Sequence, residues 1–424
     1  MRSNFFFAGV TNGSDVLVFV LMAMAGRWLG ADDFGTFSFA QALAAVGMSL
    51  MGFGLDPLVV RELSRDTTQG SRYLFVMLWW KLPVGCICAI ILSLVGHYIL
   101  HMPPMHLAVL ACISGAMLLR LLAIGLRVTL RPLGRYDLEA YCTATEQALL
   151  LLLGGTALVL GYGLVGLALA FLVARAIGLA VSVAVVTRRI PLRWMPDIQL
   201  FLNLQRMAIP IGLSVFLSNT YAQSDTFLIK AFSDYEQVGL YNVALKIYMG
   251  MLILPSVISS VLLPRLSQTF QQSKSAHNRL VLVGVGISIL VAVPISIAGI
   301  VFAEPMIVLV FGDGYAPSAT AMKILFASFV VGMQVAFIQI FLIAVRRQSV
   351  LLVTSSSALV LRFGLGFFLI QTWGIEGAAI AMALSQVFIF VGGWIYLIRS
   401  HFQVRSLNEF KLRASEAFAA RIPA

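Results

Sequence analysis

Charge is scarce in this chain: Asp, Glu, Lys and Arg make up only 11% of its 424 residues. A soluble domain carries roughly 25%, and so little charge excludes a protein with a fully water-facing surface. Cysteine is scarce too. Cys86, Cys88, Cys112 and Cys142 all lie inside apolar stretches, with neither the framework spacing of disulfides nor the paired spacing of a zinc site. His97, His101 and His106 cluster, but no cysteine or carboxylate lies near them in sequence to complete a metal-ligand set. Long polar segments are missing as well; the longest stretch on one side, about residues 304–317, is short and partly apolar. Nothing resembles a nucleophile, base and orienting group brought together. No catalytic residue, metal or cofactor is therefore assigned, and an enzyme is excluded.

What the chain has instead is apolar sequence: 60% of its residues are hydrophobic and its mean hydropathy is +0.95. Twelve apolar runs read as membrane spans, at about 5–29, 36–57, 74–96, 106–127, 140–160, 164–186, 207–232, 238–263, 281–303, 318–345, 350–372 and 376–398. Runs of this length cross about 30 Å of hydrocarbon as helices. They must be helical, because lipid offers backbone groups no outside partner. Arg2 and Ala23-Met24-Ala25 mimic a cleavable leader, yet Asp15 interrupts the run and a second span follows at once, so the segment reads as span one.

The net charge of +11 is arranged by side. Of 29 Lys and Arg, 21 fall in the two ends and in alternate connections, including Arg61, Arg65, Arg72, Arg127, Arg131, Arg135, Arg188, Arg189 and Arg193. The intervening connections carry Asp32, Asp33, Asp234, Glu236, Glu304 and Asp313 instead. Basic residues are retained on the cytoplasmic side during insertion, so both termini are expected in the cytoplasm. The positive charge then faces phospholipid headgroups, and nucleic acid is excluded as a partner.

An internal repeat organises the spans. Phe34-Gly35-Thr36-Phe37-Ser38-Phe39-Ala40 matches Val238-Gly239-Leu240-Tyr241-Asn242-Val243-Ala244 at an offset of 204, which also carries Arg61 onto Arg265. Gly163-Leu164-Val165-Gly166 matches Gly374-Ile375-Glu376-Gly377 at 211, as Arg135 matches Arg346. The expected fold is an all-α integral membrane protein of about twelve transmembrane helices, in two six-helix lobes related by a parallel repeat. The boundaries are residues 1–186 for the first lobe, 187–206 for a cytoplasmic linker, 207–398 for the second lobe and 399–424 for a basic tail. Trp194, Ile198, Leu200, Phe201 and Leu204 predict that the linker lies as an amphipathic helix on the inner surface. Such paired lobes with a site between them near the midplane are transporter architecture.

Five short elements carry a resemblance. They are Gly26-Arg27-Trp28-Leu29-Gly30-Ala31-Asp32-Asp33-Phe34-Gly35-Thr36-Phe37-Ser38, then Gly52-Phe53-Gly54-Leu55-Asp56-Pro57, Arg61-Glu62-Leu63-Ser64-Arg65, Val238-Gly239-Leu240-Tyr241-Asn242-Val243-Ala244 and Phe311-Gly312-Asp313-Gly314-Tyr315-Ala316-Pro317. In this order they resemble the Wzx-type polysaccharide and O-antigen flippases of the multidrug/oligosaccharidyl-lipid/polysaccharide (MOP) exporter superfamily, which has a MATE-like fold. Ala31 and Phe37 depart from the proline and tyrosine common there. The resemblance implies outward flipping of an undecaprenyl-diphosphate-linked oligosaccharide across the bacterial inner membrane by alternating access. It implies partners among the polymerase and chain-length proteins of a surface polysaccharide pathway. A cation-coupled multidrug antiporter on the same fold is the competing reading.

Charges inside the spans supply the candidate site. Arg27, Lys81, Arg120, Arg175, Lys230, Lys246, Lys323 and Arg362 stand against Asp15, Asp56, Glu146 and Asp225. A charge at the bilayer centre costs about 2.5–3.5 kcal/mol on insertion scales, so each must pair, reach an interface or face water. The surplus of positive charge suits a diphosphate headgroup and suits a cationic drug poorly. Lys246 is the favoured headgroup contact, because the first two helices of each half form the cavity walls in the resembled superfamily. Arg175, Arg362, Arg27, Lys230, Gln41 and Asn12 complete the candidate lining. Lys81 and Arg120 lie within snorkelling reach of an interface. Asp15, Asp225 and Glu146 either bind a coupling proton or sodium ion or neutralise a neighbouring base.

Overall fold

Lipid-soluble sequence leaves the backbone no outside partner, and a computed structural model places helix in the described part of every expected span. It describes residues 13–401 except 194, 196, 253, 256–261, 263–265, 267, 270–273 and 345–347. The helices are α1 (Asp15–Leu29), α2 (Ala31–Gly52), α3 (Leu55–Leu63), α4 (Gly70–Leu94), α5 (Pro104–Val128), α6 (Tyr136–Val159) and α7 (Gly163–Thr187). They continue with α8 (Ile198–Phe232), α9 (Tyr235–Met251), α10 (Lys274–Val301), α11 (Ala303–Phe311), α12 (Ser318–Ala327), α13 (Phe329–Ala344) and α14 (Gln348–His401). Among the described residues, eight helices are long and apolar enough to cross a membrane, or nine if the bent pair α12 and α13 counts as one span. The remaining expected spans are α1, described from Asp15, α9, described as far as Met251, and the second half of α14. That last helix breaks at Gly374, where φ 54° and ψ −130° lie outside the helical region and separate spans eleven and twelve. Asn12, Arg265, the Asp15 side chain and most of the basic tail lie outside the described residues.

The chain forms two compact units. The first comprises Met1–Gly250, Phe302–Ala321 and Gly366–Ala378; the second comprises Met251–Val301, Met322–Leu365 and Ala379–Ala424. In the second, glycines of α10 receive aromatic rings: Gly284 lies against Phe337 and Gly299 against Phe326. Ser296 donates to the Phe326 carbonyl at 2.6 Å and the Gln334 amide to the Ser288 hydroxyl at 2.8 Å, while Gln334 Oε1 has no partner among the described residues. An apolar cluster of the same unit includes Leu262, Leu266, Phe337 and Phe341.

In the first unit, repeat-matched positions meet. A Cβ on Gly35 of α2 would fall on the carbonyl of Tyr235, and one on Gly239 of α9 would fall on the carbonyl of Ala31. Each glycine therefore faces the residue four before the other, the reciprocal contact that a local twofold axis generates. Gly163 and Gly374, matched at the second offset, both take positive φ, 64° and 54°. The parallel repeat is thus visible in the backbone as well as in the sequence.

The linker differs from expectation. Residues from Ile198 onward are the first turns of the 35-residue α8 and not a separate surface helix. Leu200, Phe201, Leu204 and Ala208 pack on Leu55 and Leu58 of α3 and on Tyr73, Val76 and Trp80 of α4. Their apolar face, which periodicity alone assigned to lipid, has a protein partner. Asp197 caps α8 by accepting from the Leu200 N–H at 2.8 Å and pairs with Arg72 of α4. The Leu200 amide first, then Arg72, hold its carboxyl below the usual carboxylate range. A depressed carboxyl stabilises fully above its unfolded value of about 3.9 and stops doing so as pH falls through its folded value. Asp197→Ala is therefore expected to speed amide exchange in the first turn of α8 at pH 7, with parent and variant converging as pH falls through the carboxyl's lowered folded value. Equal exchange at neutral pH would remove this anchor.

Candidate functional site

Three of the elements that carry the family resemblance, at residues 26–38, 238–244 and 311–317, meet in the first unit. Tyr315 donates its hydroxyl to the Gly26 carbonyl at 2.8 Å, and Arg27 donates to the Leu309 carbonyl at 3.2 Å. The Phe34 ring lies 6.3 Å from both Phe311 and Tyr315. Burial pushes the Tyr315 phenol up, which keeps it a donor. These motifs therefore staple the α1–α2 corner to α11. Arg27 is exposed and serves this corner. Lys230 is held at the neighbouring α8–α9 corner, 4.1 Å over the Tyr235 ring and 3.4 Å from the Ser233 carbonyl.

Deeper in the first unit, one carboxylate serves two guanidinium groups. Glu146 of α6 accepts from Arg175 of α7 on one oxygen and from Arg127 of α5 on the other. The three side chains are almost sealed, at 1%, 5% and 3% exposure. Arg127 also donates to Thr143 Oγ1 at 3.0 Å and to the Ala123 carbonyl at 3.2 Å. Gly178 of α7 makes the room: a Cβ there would come within 2.7 Å of Glu146 Cγ. Arg127, counted from sequence among the connecting-loop charges, belongs to this interior. Arg120 lies seven residues earlier on the same face of α5, a spacing that marks the pair as a unit.

Lys81 does not extend to the protein surface. It is fully buried and ion-paired to Asp56 at 2.5 Å, with its ammonium group accommodated beside Gly125 of α5. Asp56 sits just after the break between α2 and α3, where Phe53 (φ 31°) and Gly54 (φ 75°) both adopt left-handed backbone. For phenylalanine this conformation costs of order 1–3 kcal/mol. The break opens a cavity of about 330 Å³ between α2, α3, α5 and α8. Its polar lining is Ser49, Asp56, Arg120 and Asn219. Among the described residues, Arg120 makes no hydrogen bond or ion pair; its electrostatic neighbour is Arg175, of like charge.

The other candidates lie elsewhere. Lys246, partly buried on α9, likewise makes no hydrogen bond or ion pair among the described residues. Gln41 is partly buried on α2. Asp225 is sealed in the seam of α8 and α9, where it accepts from the Tyr241 hydroxyl beside the Asn242–Thr226 contact of 3.3 Å. Arg362 is 2% exposed within the second unit.

Comparison with known proteins places this architecture. The family model described as polysaccharide biosynthesis protein matches residues 2–270, and that of the lipid II flippase MurJ matches residues 201–422. The chain belongs to these two families. They are families of transporters and flippases rather than of enzymes, and this polysaccharide biosynthesis and MurJ family member is a multi-pass membrane protein. No curated protein sequence matches it. Among solved structures it is similar to an inward-facing multidrug resistance MATE family transporter of the MOP superfamily, with TM-score 0.80 and 13% identity over 93% of this chain and 96% of that one. The lipid II flippase MurJ in an inward closed conformation follows, with TM-score 0.77 and 12% identity over 99% and 94%. A MOP superfamily transporter from Pyrococcus furiosus, whose binding pocket is described as of reversed polarity, gives 0.68 and 14% over 92% and 93%. At these identities the likeness establishes the fold alone, the all-helical one that these transporters share.

Proposed function

We propose that this family member is a Wzx-type flippase. It carries an undecaprenyl-diphosphate-linked oligosaccharide from the inner to the outer leaflet of the bacterial inner membrane by alternating access. The oligosaccharide is the repeat unit of a surface polysaccharide such as O-antigen, capsule or exopolysaccharide, handed on to the polymerase and chain-length proteins of that pathway. Residues 1–186 and 207–398 act as the two lobes, joined through 187–206, with both termini and the tail from 399 in the cytoplasm. The observation that carries the reading is the cation surplus inside the spans. Among the described residues, Asp56 is taken by Lys81 and Glu146 by two arginines, and Lys246 and Arg120 make no ion pair. Unneutralised cations within lipid call for an anionic cargo.

The likeness to a MATE transporter favours, as a second reading, a cation-coupled antiporter for small molecules. A lining of unpaired Lys and Arg opposes a cationic drug, so the flippase is preferred. Outward movement of a doubly negative diphosphate gains about 4–5 kcal/mol per 100 mV across an inside-negative membrane. That gain is sufficient for uncoupled flipping, and Asp15 and Asp225 are the groups that would bind a coupling proton or sodium ion where one is used. Arg175 and Glu146 hold the first unit together, while Arg362, Gln41 and Asn12 remain candidate lining.

Lys246→Gln tests the reading. Losing a charge-assisted hydrogen bond to phosphate costs about 1.5–3 kcal/mol, roughly a tenfold to hundredfold effect. Surface polysaccharide should fall accordingly in cells that rely on the variant, at unchanged membrane abundance, with Lys246→Arg restoring most of it. Full surface polysaccharide in Lys246→Gln cells would sink the anionic-cargo assignment.

A further inference from the structure

The charges around the helix break do not balance. Among the described residues, Lys81, Arg120, Arg127 and Arg175 lie inside the first unit, and the acids paired with them are Asp56 and Glu146; the other buried acids, Glu139 and Asp225, engage Arg131 and Tyr241. Both oxygens of Glu146 are occupied, one by Arg127 and one by Arg175. Asp56 is neutralised by Lys81 at 2.5 Å. Arg120 remains, pressed by the like charge of Arg175 and open to the cavity that Ser49, Phe53, Gly54, Asn219 and Met117 help to enclose. Its depth is about 12 Å from the Val128 end of α5 at 1.5 Å per residue, which places it in one leaflet and not at the midplane.

We propose that this cavity is a phosphoryl-oxyanion subsite centred on Arg120, the first contact for a diphosphate entering from the cytoplasmic leaflet. The inference rests on the flippase reading for the source of its ligand and on the cavity alone for its chemistry. A guanidinium presents a planar fork of donors that matches two phosphoryl oxygens at once. The Asn219 amide supplies a neutral donor to the remaining oxygens, while the Ser49 hydroxyl donates to the Val46 carbonyl at 2.6 Å and only borders the space. The Asp56 carboxylate also borders the space, and Lys81 holds its charge in check. The surplus of fixed positive charge draws the anion in, and a bound oxyanion relieves the repulsion between Arg120 and Arg175. Lys246 lies on α9, about 16 Å along that helix from Tyr235, and is a separate contact.

The experiment uses the purified full-length protein and two probes, inorganic diphosphate and undecaprenyl diphosphate without sugar, with binding measured by calorimetry. The parent is expected to bind both. Arg120→Gln should weaken both at least tenfold without lowering the melting temperature, since Arg120 has no ion pair to lose. Arg120→Lys should fall between, because the fork is lost and the charge kept. Asn219→Leu, which fills the cavity from α8, should weaken both probes as well and guards against a folding artefact at Arg120. If Arg120→Gln and Asn219→Leu bind both probes as the parent does, or the parent binds neither, the subsite is overturned. If undecaprenyl diphosphate binds independently of Arg120, the subsite falls and the flippase reading stands. If only inorganic diphosphate binds, and through Arg120, the subsite stands as a site for free phosphate and the flippase reading falls.

Discussion

Glu146→Gln is expected to destabilise the protein by about 3–5 kcal/mol, the cost of breaking a buried ion pair from one side. The carboxylate lies between Arg127 and Arg175, each almost sealed, and among the described residues no other acid pairs with either arginine. A glutamine keeps the volume but removes the charge that two guanidinium groups share, and an isolated buried charge is far more costly than the pair. The expected result is a large fall in melting temperature in detergent and reduced membrane abundance. Arg175→Gln should be milder, because Glu146 then keeps Arg127 as its partner. A combined replacement of Glu146, Arg127 and Arg175 by apolar residues of similar volume should recover much of the loss, since such clusters can be exchanged for packed hydrophobics. A thermally silent Glu146→Gln would show that the carboxylate is dispensable and would reopen its part in coupling. The same geometry bears on mechanism: a carboxylate whose single negative charge is shared by two guanidinium groups offers little net attraction to a further cation.

The fold was largely legible because lipid imposes a single rule on every span. Apolar length, glycine punctuation and the alternation of basic connections placed all twelve segments where helices occur, and the Gly374 turn was marked by its match to Gly163. The left-handed break at Phe53-Gly54 was not foreseen, since a phenylalanine there contradicts the local preference and is held by contacts from another helix: Gly212 of α8 lies against the Phe53 ring. The surface helix expected in the linker failed for a related reason. Periodicity reports an apolar face but not its partner, and Leu200, Phe201 and Leu204 face α3 and α4.

The site was legible as an inventory and not as an arrangement. Composition revealed that bases outnumber acids within the spans, yet which acid serves which base depends on helix packing. Glu146 reaches Arg127 and Arg175 from a different helix in each case. Arg127 was assigned to a loop because it ends an apolar run, although its spacing from Arg120 places both on one face of α5. The resemblance motifs, read as marks of family, prove to be packing elements: Gly26 and Tyr315 meet across almost the whole sequence, a contact that only the folded chain displays.

The second large effect is expected at the α2–α9 crossing. Replacing Gly35 or Gly239 by valine would drive side-chain carbons into the opposing backbone at Tyr235 or Ala31. A flexible side chain could move aside; a helix carbonyl cannot without shifting its helix. Overpacking a well-filled contact typically costs 1–3 kcal/mol, and opposition by backbone places each substitution at or above about 3 kcal/mol. The two should not add. Once one valine has parted the helices, the second enters a gap already opened, so the double variant should be more stable than the sum by about 0.5–3 kcal/mol. Gly286→Ala in α10, where no heavy atom lies within 4 Å of the added carbon, supplies the control. It should be neutral or stabilising by up to about 1 kcal/mol, the helix-propensity gain of alanine over glycine. Thermal unfolding of the four variants in detergent measures all of this. Additive losses at Gly35 and Gly239 would mean that the two glycines do not share one contact, and the reciprocal geometry that links the halves of the repeat would lose its support.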